Sequence, residues 1–266
     1  MAKIKLYTPV NKDCNYIGFN EIITDWEENG LIERIKIDYK GRFCAWVGRI
    51  GGLVLEPSDI GRQSLPYEYA LCSQYRKGWE NNPKILPWNF FVRDWGAYKK
   101  VQDQLPLEKT HKSIFSGTIR SKNPVKRDIW INSTEIFSYR VARTYNRTNL
   151  LYPTLGDYYK ALAQTRFGLC PCGDIGKCQR EIETMGVGCI PIFTPGVETS
   201  YFVRPTEGIH YIYADNPQEM NDKINSISEE QQMHLREEGI KFFNDYCSPN
   251  GLWNSVLKTI EKYAII

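Results

Sequence analysis

The sequence predicts an α/β protein built as two units, each around a mainly parallel sheet. Short apolar runs alternate with segments of helical period along most of the chain. Those runs, such as LVL at 53–55 and GCIPIF at 188–193, are continuous rather than alternating, as in strands covered on both faces. A polar, proline-bearing stretch at 104–112 interrupts the pattern, and 266 residues suit one large domain or two small ones.

Taken in order, KIKLYTPV is a first strand. GFNEIITDWEENGL follows with Phe19, Ile22, Ile23 and Trp26 on one helical face. IERIKIDY reads as a strand, and LVL ends a third at Glu56-Pro57. YEYALCSQYRKGW reads as a helix, and ILPWNFFVRDW as a strand with aromatic punctuation. Beyond the linker, SIFSGTIR opens the second unit as a strand. DIWINSTEIFSYRVAR is ambiguous. YPTLGDYYKALAQT has helical period, RFGLCP is a strand, GKCQREIETMGV a helix, GCIPIF a strand and HYIYAD another. Three helices close the chain, in PQEMNDKINSI, EEQQMHLREEGIKFFNDY and LWNSVLKTIEKYAI. The expected organisation is a first unit at 1–103, a linker at 104–112, a second unit at 113–245 and a last helix at 246–266 that reaches back to the first unit. A ligand would lie at the carboxyl ends of the strands.

Composition narrows the function classes. A net charge of +3 is too small for a nucleic-acid binder but fits a local anionic ligand. The amino terminus lacks the apolar core of a signal peptide, and no run of about 18 apolar residues occurs. The expectation is a soluble, cytoplasmic protein with no membrane span. The 17 Tyr and 7 Trp suit a sugar or base site, although such residues also build cores. The eight cysteines are scattered, which favours free thiols over a disulfide framework.

The stretch FGLCPCGDIGKCQREIETMGVGCIPIF, 167–193, carries the chemistry. Cys170, Cys172, Cys178 and Cys189 lack the paired spacing of zinc ribbons, so no metal site is expected. Strand, glycine turn and helix form a phosphate cradle instead. Gly173 and Gly176 allow close backbone approach, and the helix start presents free N–H groups. Lys177 and Arg180 add full charges. Glu183, one turn beyond Arg180, could accept two hydrogen bonds from a ribose diol. On spacing alone, a surface helix whose Arg180 and Glu183 simply pair with each other remains open.

The same residues resemble the exostosin-like glycosyltransferase signature. A strand Phe167-Gly-Leu169-Cys-Pro171-Cys-Gly173 is followed by Arg180-Glu-Ile-Glu183 and then by Gly188-Cys189-Ile190-Pro191. The resemblance covers roughly 113–200. Thr184 stands where that family has alanine, and one cysteine is displaced. It implies a GT-B fold, with two Rossmann-like α/β domains facing a cleft, and an inverting transfer from a UDP-sugar to the hydroxyl of an oligosaccharide or glycoprotein glycan. Short members of that family in large DNA viruses, some linked to xylose transfer, make UDP-xylose the first donor to expect.

An inverting transfer needs a base for the acceptor hydroxyl and positive groups for the leaving diphosphate. No D-x-D motif occurs in the chain. The expected transfer is therefore metal-independent and uses no cofactor beyond its co-substrate, with Arg120, Arg180 and Lys177 on the diphosphate. Lys126 and Arg127 read as a solvated basic loop. The base is expected at a strand end of the first unit, with Asp13 and Glu56 ahead of Asp59 and Asp94. Of the histidines, His111, His210 and His234, none is placed as a base. Tyr201 or Phe202 could stack on the nucleobase. Two other readings compete: a non-catalytic nucleotide- or glycan-binding module, and a sugar-nucleotide epimerase. The epimerase would need a G-x-G-x-x-G turn after the first strand, and KLYTPVNKDCN has none.

Overall fold

A computed structural model describes residues 4–9, 17–37, 50–56, 67–73, 75, 81, 83–118, 127–132, 139–143, 152–173 and 176–263. The chain divides into two compact units. The first is Met1–Trp95 with Ser200–Arg204 and Tyr246–Ile266; the second is Gly96–Thr199 with Pro205–Asp245.

The first unit contains strands β1 (Ile4–Pro9), β2 (Ile32–Ile37), β3 (Ile50–Glu56), β4 (Tyr67–Cys72) and β5 (Ile85–Pro87), with helix α1 (Ile17–Glu28) between β1 and β2. All pairings are parallel and the order is β2-β1-β3-β4-β5. The apolar face of α1 predicted from its spacing is buried: Phe19, Ile22, Ile23 and Trp26 are closed to solvent and pack with Leu6, Leu53, Leu55 and Leu71.

The expected helix at YEYALC is strand β4. Leu71 joins the cluster containing Leu6, whereas Ala70 and Cys72 join a second cluster with Tyr75 and Ile85. A strand buried on both faces has no polar side, so its alternation vanishes and its period resembles that of a short helix. The expected strand at ILPWNFFVRDW stops after Pro87. Trp88 still donates its N–H to the Cys72 carbonyl at 2.9 Å. The chain then turns into the core, where Trp88 and Phe91 are fully buried.

The last helix, α8 (Pro249–Tyr263), groups with the first unit. Leu252 and Val256, one turn apart, complete the cluster around Leu6 and Trp26. The buried Trp88 indole donates to Ser255 Oγ at 2.7 Å, and that hydroxyl donates to the Leu252 carbonyl at 2.6 Å.

The second unit contains α2 (Trp95–Gln102), β6 (His111–Thr118), α3 (Arg127–Asn132), β7 (Tyr139–Arg143), α4 (Leu155–Ala163), β8 (Thr165–Cys170), α5 (Gln179–Gly186), β9 (Ile190–Phe193), β10 (Ile212–Tyr213), α6 (Pro217–Ser226) and α7 (Glu229–Tyr246). Helix α2 was not expected from the sequence; all but its first residue belong to this unit. Residues 104–112, read in the sequence as a linker, also lie inside it. The sheet is again parallel, in the order β10-β9-β8-β6-β7. Counted from its own first strand, that is the order of the first unit. In each sheet the first and third strands are neighbours, β1 with β3 and β6 with β8. The connections leave these strand pairs in opposite directions, which opens a crevice at their carboxyl ends. Strand β9 is buried throughout and β8 nearly so, which explains their continuous apolar sequences.

Candidate active site at the carboxyl ends of the parallel strands

The crevice of the second sheet lies between the ends of β6 and β8. The turn that follows β8 is the glycine turn of the 167–193 stretch, and it is tied to the turn that follows β9. The Cys172 N–H donates to Thr194 Oγ1 at 3.2 Å and its thiol to the Gly196 carbonyl at 3.0 Å. The Glu198 N–H donates to the Gly176 carbonyl at 2.8 Å. Gly176 has φ +76°, a left-handed conformation that costs glycine little. At the start of α5, Cys178 is the N-cap and its N–H is held by Glu181 Oε2 at 3.1 Å.

Three cations lie in this turn or on the elements beside it. Arg127, the first residue of α3, is 8% exposed and donates from Nε to the Cys172 carbonyl at 2.8 Å. This corrects the expected solvated loop: Arg127 is built into the site, and its guanidinium also lies against Gly173. Lys177 is 3% exposed in the turn itself. Arg180 reaches from the first turn of α5 back over β6. Its guanidinium carbon is 5.3 Å from the centre of the Phe115 ring, and a Cβ placed on Gly117 would lie 2.4 Å from Arg180 Nη2. Gly117, the residue before the last of β6, is therefore the surface on which Arg180 rests.

The cysteines here are packing residues. Cys170 and Cys172 are buried, and burial pushes both thiols up, Cys172 to about 11 with Glu181 adding to the effect and Arg127 opposing it. Cys189, also buried, is pushed to about 12. Among the described residues, no three His, Cys, Asp or Glu side chains converge as a metal site would require. Thr184 donates to the Arg180 carbonyl at 2.6 Å, and a Cβ on Gly168 would strike its methyl, so the residue that departs from the exostosin-like pattern packs α5 onto β8.

The structure brings together only some of the residues singled out in the sequence. Gly173 and Lys177 lie in the β8 turn, and Arg180 lies in the first turn of the helix that follows it, with its guanidinium over β6. Glu183 lies on the same helix but is 0% exposed, and its Oε1 accepts from Tyr159 Oη at 3.1 Å. The Glu183 carbonyl accepts from Tyr98 Oη at 2.8 Å, so α5 is clamped by tyrosines from α4 and α2. Tyr201 belongs to the first unit, 3% exposed, with its ring edge against Phe90 at 6.2 Å between centres. Glu56 is the last residue of β3, at the crevice of the first sheet, where Leu6 and Tyr7 of β1 are in register with Leu53 and Val54. Asp94 lies just before α2. His210 Nδ1 accepts from the Thr206 N–H at 2.8 Å, and burial lowers its pKa. Asp13, Asp59, Arg120 and Lys126 lie outside the described residues.

No protein-family model matches the chain, and no curated protein sequence matches it. The exostosin-like resemblance therefore rests on its motif residues alone. Among solved structures, the fold matches a glycosyltransferase from Rickettsia africae ESF-5, with a TM-score of 0.56 and 8% identity over 99% of this chain and 98% of that one. At that identity the match concerns the fold: mixed α/β, with parallel sheets, along the whole length of both chains. Among the described residues, no helix is long and apolar enough to cross a membrane.

Proposed function

We propose that the protein is a glycosyltransferase that takes its sugar from a nucleoside diphosphate, with UDP-xylose as the first donor to test. The observation that carries this reading is the glycine-containing turn at the crevice of the second sheet, with buried Arg127 bonded to its Cys172 carbonyl, buried Lys177 within it and Arg180 over the end of the neighbouring strand β6. Backbone N–H groups at a helix start and buried cations suit a diphosphate. The fold shared with a glycosyltransferase along the whole chain supports the same reading.

In the proposed reaction, a carboxylate takes the proton of the acceptor hydroxyl as its oxygen attacks the anomeric carbon. The bond from that carbon to the diphosphate oxygen breaks, and its electron pair leaves with UDP, so the sugar inverts. Arg180 and Lys177 neutralise the charge that develops on the diphosphate, with Arg120 as the further cation expected from the sequence. Arg127 acts through the Cys172 carbonyl to hold the turn. Glu56 is the preferred base, because it ends a strand at the first sheet's crevice; Asp13, four residues beyond β1, is the second candidate. The ribose role expected for Glu183 is not retained, because its carboxylate has no exposed surface and accepts from Tyr159.

The test is hydrolysis of a panel of UDP-sugars without acceptor, with and without EDTA, beside thermal shifts with UDP. Release of UDP from one donor, unaffected by chelation, is expected. A UDP-induced shift with no turnover of any donor, with or without a glycan acceptor, would identify a binding module instead. Absence of both shift and turnover rules out the sugar-nucleotide reading, and full loss of activity in EDTA rules out metal independence.

A further inference from the structure

The second unit has another cavity, at the opposite ends of its strands. Lys109 precedes β6, Ala163 precedes β8 and Gly188 precedes β9, so all three lie at the amino ends of the sheet. There a cavity of about 590 Å³ opens between the 105–109 segment, the end of α5 and the side of α7. That size is typical of small-molecule sites. Much of its wall is apolar, from Leu105, Leu107, Val187 and Ile240, and its half-buried cations are Lys109 and Arg236.

Lys109 keeps a donor in reserve. The Lys109 ammonium donates to the Ala163 carbonyl at 2.6 Å and the Gly188 carbonyl at 2.7 Å, and its third N–H has no acceptor among the described residues. Arg236 donates from Nη2 to Gln232 Oε1 at 3.1 Å, while its buried Nε has no partner among the described residues. Burial lowers Lys109 to about 8, with Cys189 opposing and the charge of Arg236 adding to the effect, and burial lowers Arg236, with Arg166 adding to it and Cys189 and Glu229 opposing. Both acids of the lining are exposed: Asp103 is engaged by Lys99, and Glu237 follows Arg236 in α7.

We propose that this cavity binds a carboxylate carried on an aliphatic chain. Lys109 and Arg236, the half-buried cations of the lining, supply the charge that a carboxylate needs, and the apolar wall accommodates the chain. A phosphate would leave a further charged oxygen against that wall. The site lies away from the glycine turn and does not depend on the glycosyltransferase reading.

The test is calorimetric titration of the full chain with decanoate, with decan-1-ol and decyltrimethylammonium as neutral and cationic controls. Saturable binding of decanoate is expected, at least about tenfold tighter than decan-1-ol, which is about 1.4 kcal/mol, with no binding of the cation. Arg236→Gln should weaken decanoate about tenfold, and Leu107→Trp should abolish binding by filling the cavity. Equal affinity for decanoate and decan-1-ol overturns the proposal, as does unchanged binding in Arg236→Gln. Lys109 is left intact because it also ties the ends of α4 and α5. Should Leu107→Trp fail to fold, Arg236→Gln with a far-ultraviolet spectrum like the parent's decides the outcome.

Discussion

Arg180 and Gly117 form a pair in which one residue's absent side chain makes room for the other's charge. With only hydrogen on its Cα, Gly117 lets the guanidinium settle over the end of β6 and the Phe115 ring. On the proposed function, Arg180→Ala should lower kcat/KM for the UDP-sugar about 10²-fold, as loss of a preorganised donor does. Gly117→Ala should produce much of the same loss, because its Cβ would displace the far end of a flexible side chain and leave the strand intact. The double variant should then be no worse than Arg180→Ala alone, since both changes remove one interaction. Steady-state kinetics of the three variants checks this, and additive losses would mean that Gly117 acts elsewhere. The sequence carried Arg180 through its spacing from the glycine turn. It could not carry Arg127, because nothing in the local sequence shows that the start of α3 returns to the Cys172 carbonyl.

At the scale of elements, α8 was legible because its apolar residues recur with helical period, and its place in the first unit follows from the face that Leu252 and Val256 present to that core. The structure adds a hydroxyl at the one point where this face meets a polar group, the Trp88 indole N–H. Ser255→Ala should therefore cost about 1–3 kcal/mol by leaving a buried donor unsatisfied. The shift of the denaturant midpoint measures it, and a change within error would show that the indole finds another acceptor. Strand β4 shows the opposite case. Its residues are apolar toward two clusters, so the pattern that separates strand from helix is missing from the sequence itself.

The whole molecule has a pH dependence that follows from groups it buries. Lys109, held near 8, lies below its unfolded value of 10.5. Between those values the unfolded chain binds more protons, so this lysine makes stability rise with pH, and its contribution is lost as pH falls through 8. Cys189 and Cys247, raised from 9.0 to about 12 by burial, act oppositely. Their contribution is complete below 9 and is lost as pH rises toward 12. Cys170 is shifted in the same direction. Each proton of difference is worth about 1.4 kcal/mol per pH unit. With Cys170, Cys172, Cys189 and Cys247 all raised, the thiols outweigh the one lysine from a little above pH 8, so stability should be nearly level around pH 8 and fall above it. Denaturant unfolding from pH 7 to 11 reads this directly. In Lys109→Met the fall between pH 8 and 9 should be steeper by about 1 kcal/mol, and an unchanged profile would count against the lysine's role.

The sequence by itself determined the α/β class, the helices with one apolar face and the glycine turn with Lys177 and Arg180 beside it. These are local properties, carried by spacing over a few residues. Only the tertiary structure decided that the two sheets share one strand order, that Glu56 ends a strand at a crevice, that Glu183 is closed off beneath Tyr159 and that Arg127 is buried in the site. Each of those depends on which distant segments become neighbours. Parallel strands are joined by crossovers of a dozen residues or more, so nothing in a strand's own sequence names its partner.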